Sequence, residues 1–213
     1  ADYGVPQMRE RVIIVGTLLE KEYEYPMQTH CNSFYKKGLF EGELQSYVTL
    51  IQAIGDLPSI NANEESNSYN AKPMNVYQEQ MRNNGEILLD HNSPNHNSDL
   101  INLISHLPEG GTLSDIPENI RPTKAFGNSY SRLWSNRPST TITRNLGTPS
   151  SARCIHPFLN RGLTTREGAR LQSFPDNFMF YGSRSAKNLQ IGNAVPPILS
   201  NHLADSILKL YNL

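Results

Sequence analysis

The sequence predicts a mixed α/β chain, and three features carry that reading. Arg11 to Gly16 reads Arg-Val-Ile-Ile-Val-Gly, a continuous β-branched run suited to a strand buried on both faces of a helix-covered sheet. Thr49 with Gln52, and Thr164 with Glu167, have the spacing of capping boxes that open helices. Pro196-Pro197 suits the start of a last helix, because proline lacks only an amide that helix starts leave unpaired.

Taken in order, the first run would be a lone strand, which points to a sheet completed by something else. Glu20 to Tyr25 turns acidic and aromatic and reads as the exit from that sheet. Ile51 and Ile54 follow Thr49 at helical spacing until Asp56-Leu57-Pro58 stops the run. Residues 59–99 are rich in Asn, Ser and Glu and read as loop, partly disordered, with a weak helical patch from Val76 to Met81. Leu100, Leu103, Ile104 and Leu107 share one face of a short helix, and Gly110-Gly111 and Pro117 mark turns. Ser139 to Thr143 reads as a strand that begins after Pro138. The helix opened by Thr164 runs to about Ser173, ahead of Phe174-Pro175-Asp176. Gln190 to Pro197 reads as a polar turn, and Leu199, Leu203, Ile207 and Leu210 form an apolar stripe that calls for a larger partner.

The 213 residues hold one ordinary domain, or a small domain with part of another. No apolar run approaches the roughly 18 residues of a spanning helix, and no secretory signal pattern is visible. Cys31 and Cys154 are too few for a disulfide framework, so a cytoplasmic location is expected. His30, Cys31, His91, His96, Cys154 and His156 lack zinc-binding spacing, so no metal is expected. The formal net charge of −1 conceals a segregation. Residues 1–120 carry 7 Lys and Arg against 17 Asp and Glu, whereas residues 121–170 carry 9 against Glu167 alone. Eight of those nine are Arg, the side chain suited to paired contacts with phosphates and guanine edges, so most of the cluster is expected to face nucleic acid.

Gln7, Arg9 and Arg11 alternate, so an extended segment points all three to one face. Two guanidinium forks and an amide there suit a phosphate and a base carbonyl. On those three residues alone a salt-bridged strand start with Glu10 or neighbouring acids is the stronger reading. Arg166, Glu167 and Arg170 have helical spacing for mutual salt bridges and read as structural rather than catalytic. Gly192 permits close backbone approach, and Asn193 both donates and accepts hydrogen bonds.

Val5-Pro6-Gln7-Met8-Arg9-Glu10-Arg11, the run from Arg161 to Asp176, and Gln190 to Pro197 together resemble, in order, blocks of the DNA (cytosine-5)-methyltransferase family. The resemblance covers about residues 1–17 and 120–210. It implies the remnant of an S-adenosylmethionine-dependent Rossmann-like domain plus a small target-recognition domain. Residues 1–25 would end the catalytic domain, 26–176 would form the recognition region with its hinge, and 177–213 would return to the catalytic domain. By resemblance Arg9 and Arg11 support the transition state and hold the target nucleotide, and Asn193, Ala194 and Val195 contact S-adenosylmethionine. The run from Arg161 to Asp176 orients the recognition region.

The reaction also needs a thiolate to attack carbon 6 of a flipped cytosine. No Pro-Cys, Gly-rich cofactor loop or Glu-Asn-Val block occurs here, and Cys154 follows Ala152-Arg153. Tyr130 to Trp134 and Arg137 to Thr143 resemble the family's approach to its Thr-Ile step. Contacts to double-stranded DNA are therefore expected from about residues 121–153, with Arg132, Arg137 and Arg144 as candidates, and from Gln7 in the first block. The expectation is the C-terminal part of a DNA (cytosine-5)-methyltransferase, inactive alone and completed by an N-terminal catalytic half in the same chain or a separate subunit. A start at Ala1 inside a block favours truncation. The alternative is a non-catalytic DNA-binding specificity module.

Overall fold

The computed structural model describes residues 1–32 and 44–211. Its elements, in chain order, are β1 (His30–Cys31), β2 (Gln45–Ser46), α1 (Leu50–Ile54), α2 (Val76–Arg82), α3 (Ser98–Ser105), β3 (Ser131–Arg132), β4 (Arg153–Ile155), α4 (Thr165–Leu171), α5 (Arg184–Asn193) and α6 (Pro197–Tyr211). Two single turns of 3₁₀ helix, Leu113–Asp115 and Glu118–Ile120, lie between α3 and β3. β1 pairs with β2 and β3 with β4, both in parallel, with a register irregularity at Ser131 and Arg132. The fold is mixed α/β.

Local chemistry sets the helix starts. Thr49 and Thr164 each accept from the backbone amide three residues on, while Gln52 and Glu167 return the bond to the cap amide. Asn75, Asn97 and Ser183 cap α2, α3 and α5. The weak helical patch at 76–81 is α2, and the stretch around it takes a defined path through isolated bridges, Glu65 with Asn92 and Ser68 with Ile87.

Two apolar clusters organise these pieces. The larger gathers α1, α2, α4 and the end of α5 around Leu50, Ile54, Met81, Leu146, Leu171 and Ile191. The smaller joins α3 to β4 through Leu103, Ile104, Leu107, Ile116 and Ile155. Phe174, Phe178 and Phe180 pack mutually with ring centroids 4.9 to 5.1 Å apart at the edge of the first.

Three expectations are corrected. Arg11 to Gly16 forms no strand: Val12 and Ile14 are each 89% exposed, because β-branched sequence supplies strand propensity but no ladder partner among the described residues. Ser139 to Thr143 is not a full strand either. It makes one parallel bridge with Gln7, through Met8 N–H to Ser139 O (2.8 Å) and Ser139 N–H to Pro6 O (3.0 Å). Gln190 to Asn193 is the last turn of α5 rather than a polar turn. The apolar stripe of α6 is left largely uncovered by the described residues, as its sequence led one to expect: only Leu210 is buried, and Ile207 is exposed. No described helix is long and apolar enough to cross a membrane.

Candidate functional site

Three segments distant in sequence converge on Ile142. Gln7 is buried, and its carboxamide accepts from Ile142 N–H (3.0 Å) while donating to Leu171 O (3.2 Å) and to the Gln172 carboxamide oxygen. Gln172 in turn donates to Ile191 O at 2.7 Å. This pair of amides ties the N-terminal segment to the ends of α4 and α5.

Arg9 completes the clamp. Its Nη1 donates to Ile142 O (2.8 Å) and its Nη2 to Gly192 O (3.0 Å). Two of its five N–H donors are thus used, and the guanidinium is half-buried. Gly192 is required by proximity: a Cβ there would lie 2.4 Å from Arg144 N and 2.7 Å from Thr143 C. The backbone of residues 143–144 therefore lies directly on α5. Just beyond, Asn193 is exposed, Ala194 half-buried, and Val195 58% exposed. Arg11 is exposed and donates to Glu10 O at 2.5 Å.

The structure thus brings Gln7, Arg9 and Asn193–Val195 together around Thr141–Arg144. It does not put Gln7, Arg9 and Arg11 on one open face. Gln7 as a DNA contact is corrected, because its polar atoms are engaged in the interior.

The cationic segment is corrected more broadly. Arg132 is buried and donates to the carbonyls of Ile104 (2.9 Å), Leu107 (3.0 Å), His156 (2.8 Å) and Leu159 (2.8 Å) and to Asn160 Oδ1 (2.8 Å). Its place is the centre of the smaller cluster, not a DNA face. Arg121 donates to Ser114 O and Ile116 O, and Arg153 to Gly110 O and Arg132 O.

Arg161, Arg166 and Arg170 are fully buried. The expected mutual bridges among Arg166, Glu167 and Arg170 do not form. Arg166 donates to Leu89 O, Pro175 O and Phe178 O. Glu167 takes both oxygens to Arg161, and Arg170 pairs with Asp56 and with Asp176 (2.5 Å). Six of the nine cations of residues 121–170 are therefore turned inward, leaving Lys124, Arg137 and Arg144 exposed.

Arg137 and Arg153 both stack on Trp134, with guanidinium carbons 4.3 and 4.2 Å from the ring centroid. Gly110 makes room for that indole, since a Cβ there would meet Trp134 Nε1 at 2.0 Å.

Electrostatics follow burial. Burial alone would raise the Glu167 carboxyl, but the charge and paired hydrogen bonds of Arg161 outweigh it and hold the carboxyl well below the ordinary range. Burial pushes His156 down to about 4, and its Nδ1 accepts from the amides of Phe158 and Leu159. The buried Cys154 thiol is pushed up to about 12, again by burial, so thiolate is scarce there. Cys31 is buried as well. Neither Gln172 nor Arg161 stands out by itself in the sequence, since each acts through partners that only the folded chain brings close.

Residues 1–209 match the family described as C-5 cytosine-specific DNA methylase. The type II methyltransferase M1.HphI of Haemophilus parahaemolyticus is 33% identical over 99% of this chain and 46% of its own length. M.DdeI of Desulfomicrobium norvegicum is 34% identical over 97% of this chain and 52% of its length. The chain thus spans about half the length of these relatives. DNA (cytosine-5)-methyltransferase 2 of Arabidopsis thaliana is 32% identical over 93% of the chain and 16% of its own length. A solved structure of a DNA modification methyltransferase encoded within an E. coli prophage superposes with a TM-score of 0.62, at 20% identity, over 100% of this chain and 58% of that one.

Proposed function

The chain belongs to the C-5 cytosine-specific DNA methylase family, and we propose that it forms the DNA-reading and cofactor-flanking part of an enzyme that methylates carbon 5 of cytosine in a specific duplex sequence. The observation that carries this reading is the Arg9 clamp, which holds Ile142 O and Gly192 O while leaving donors unspent. A cation held in place by two backbone carbonyls suits a flipped nucleotide, whose phosphate and ring carbonyl both want fixed N–H donors. Arg11, exposed two residues on, would extend that grip to the neighbouring backbone.

S-adenosylmethionine, when bound, supplies the methyl group. Asn193 offers a free amide edge beside the exposed Val195 side chain, a polar and apolar pairing that fits the amino-acid and adenosyl portions of such a ligand. Ala194 adds backbone groups at the cap of α5. The nucleophile is proposed to come from residues outside these 213. Cys31 and Cys154 are both buried, and the Cys154 thiol is held protonated.

Transfer of labelled methyl groups to duplex DNA by the full-length protein tests the reading. Activity abolished by Arg9→Ala and by Asn193→Ala, with DNA binding retained by the latter, is the expected result. DNA binding with no methyl transfer under any complementation by the unmatched portion of a relative would support the second reading, a specificity module, favoured only by the exposed Lys124, Arg137 and Arg144.

A further inference from the structure

Between residues 144–150 and the first turns of α5 lies a cleft of about 860 Å³. Arg144 lines it from the loop and Arg184 from α5. Asn95, Asn145, Thr148 and Asn188 add neutral polar groups, and no Asp or Glu contributes. Arg184 is half-buried, and its Nη1 is enclosed without a hydrogen-bond partner among the described residues. The enclosed Nη1 is out of reach of an anion in the cleft, so the contact falls to the accessible part of this half-buried side chain, which lines the cleft. Burial lowers the neighbouring His96, whose Nε2 accepts from Gly162 N–H, so the cation of the cleft comes from its arginines. The cleft and the Arg9 clamp share a neighbour: Arg144 lines the cleft, and its backbone rests on Gly192, whose carbonyl Arg9 holds.

We propose that this cleft seats a backbone phosphate of the DNA, held between Arg184 and Arg144. The proposal rests on the reading of the chain as part of a DNA-methylating enzyme. Two guanidiniums, amides and hydroxyls with no carboxylate suit an oxyanion better than a base edge, and adjacency to the clamp makes the DNA strand its source. Arg184 then sets the register of the duplex without reading sequence.

The test is the salt dependence of duplex binding by the full-length protein, followed by fluorescence anisotropy with a labelled duplex between roughly 50 and 200 mM salt. Arg184→Gln is expected to make the slope of log Kd against log salt shallower by about 0.9 and to weaken specific and random duplexes alike. Arg184→Lys, which keeps the charge, should retain the slope. Melting temperature and circular dichroism report whether each variant is folded, and Arg144→Gln provides an independent second reading of the slope. A folded Arg184→Gln protein with the parent's slope overturns the site while leaving the methylating function intact. Loss that Lys fails to restore also overturns it, as a packing effect. A parent protein with no salt-dependent affinity for duplex DNA sinks the functional reading as well.

Discussion

Arg161 and Glu167 meet through two parallel hydrogen bonds of 2.8 and 2.7 Å, with their side chains 0% and 2% exposed. Each has further partners: Arg161 donates to Ile60 O and Gly162 O, and Glu167 accepts from the Thr164 amide that opens α4. The pair therefore fixes the helix start against the segment at residue 60. Glu167→Gln would leave a guanidinium buried without its counter-charge, and a loss of about 3–5 kcal/mol is expected in urea unfolding. An unchanged unfolding midpoint would contradict this.

His156 lies 4.0 Å from Glu167, and burial holds it at about 4. Its neutral Nδ1 accepts two backbone amides, so protonation costs both bonds. A histidine depressed in the folded state contributes stability that is present above the unfolded value near 6.5 and is lost as pH falls towards about 4. The loss across that window should be on the order of 3 kcal/mol. His156→Asn, which keeps an acceptor but cannot titrate, should flatten the pH dependence of unfolding between pH 7 and pH 5. Some slope should remain, because burial lowers His91 and His96 as well.

How much of this was legible in the sequence depends on the reach of each interaction. Capping boxes span three residues, so Thr49 with Gln52 and Thr164 with Glu167 could be read directly. The helix through Gln190 could not, because Gly192 and Asn193 resemble turn residues when the close-packed backbone at 143–144 is out of view. The cationic segment misled for the same reason. Its local sequence has almost no acids, yet Arg170 finds Asp56 some 114 residues away and Arg132 finds six oxygen acceptors with no charge at all. Charge counted along a chain says which groups need partners; whether those partners are protein or DNA is settled only in space. The Gln-x-Arg, Thr-Ile and Gly-Asn segments were recognisable individually, but the Gln7–Gln172 link that joins them spans 165 residues.

Gly192→Ala puts a methyl group 2.4 Å from Arg144 N, a backbone atom with no flexible end to move aside. The segment at 143–144 must lift off α5, at an expected cost of about 1–3 kcal/mol. Because Arg9 donates to Gly192 O, the clamp should loosen together with the packing. The substitution should therefore weaken duplex binding by the full-length protein, measured by calorimetry, whereas Gly127→Ala, where a Cβ has open space, should leave binding unchanged.

The buried Cys154 thiol, with its value pushed up to about 12, has no means of forming a thiolate near neutrality. Cys154→Ala should lower stability by about 1 kcal/mol and leave methyl transfer by the full-length protein within a factor of two or so. A loss of several orders of magnitude in a folded variant would instead point to this cysteine as the nucleophile.

Arg9 offers the sharpest separation of charge from geometry. Arg9→Lys keeps a cation but provides a point ammonium in place of a planar fork, so it reaches Ile142 O or Gly192 O rather than both. If Arg9 serves only as a positive charge near DNA, Lys should restore most of what Ala removes. If it holds two strands of backbone in register for the flipped nucleotide, Lys should recover affinity for duplex while methyl transfer stays depressed on the order of 10²-fold, the usual cost of small misplacement at a reacting centre. The second pattern is expected, because both carbonyls are fixed by packing and neither can follow a shorter reach. Single-turnover methyl transfer compared with equilibrium duplex affinity separates the two, and full rescue of turnover by Lys would reduce Arg9 to electrostatics alone.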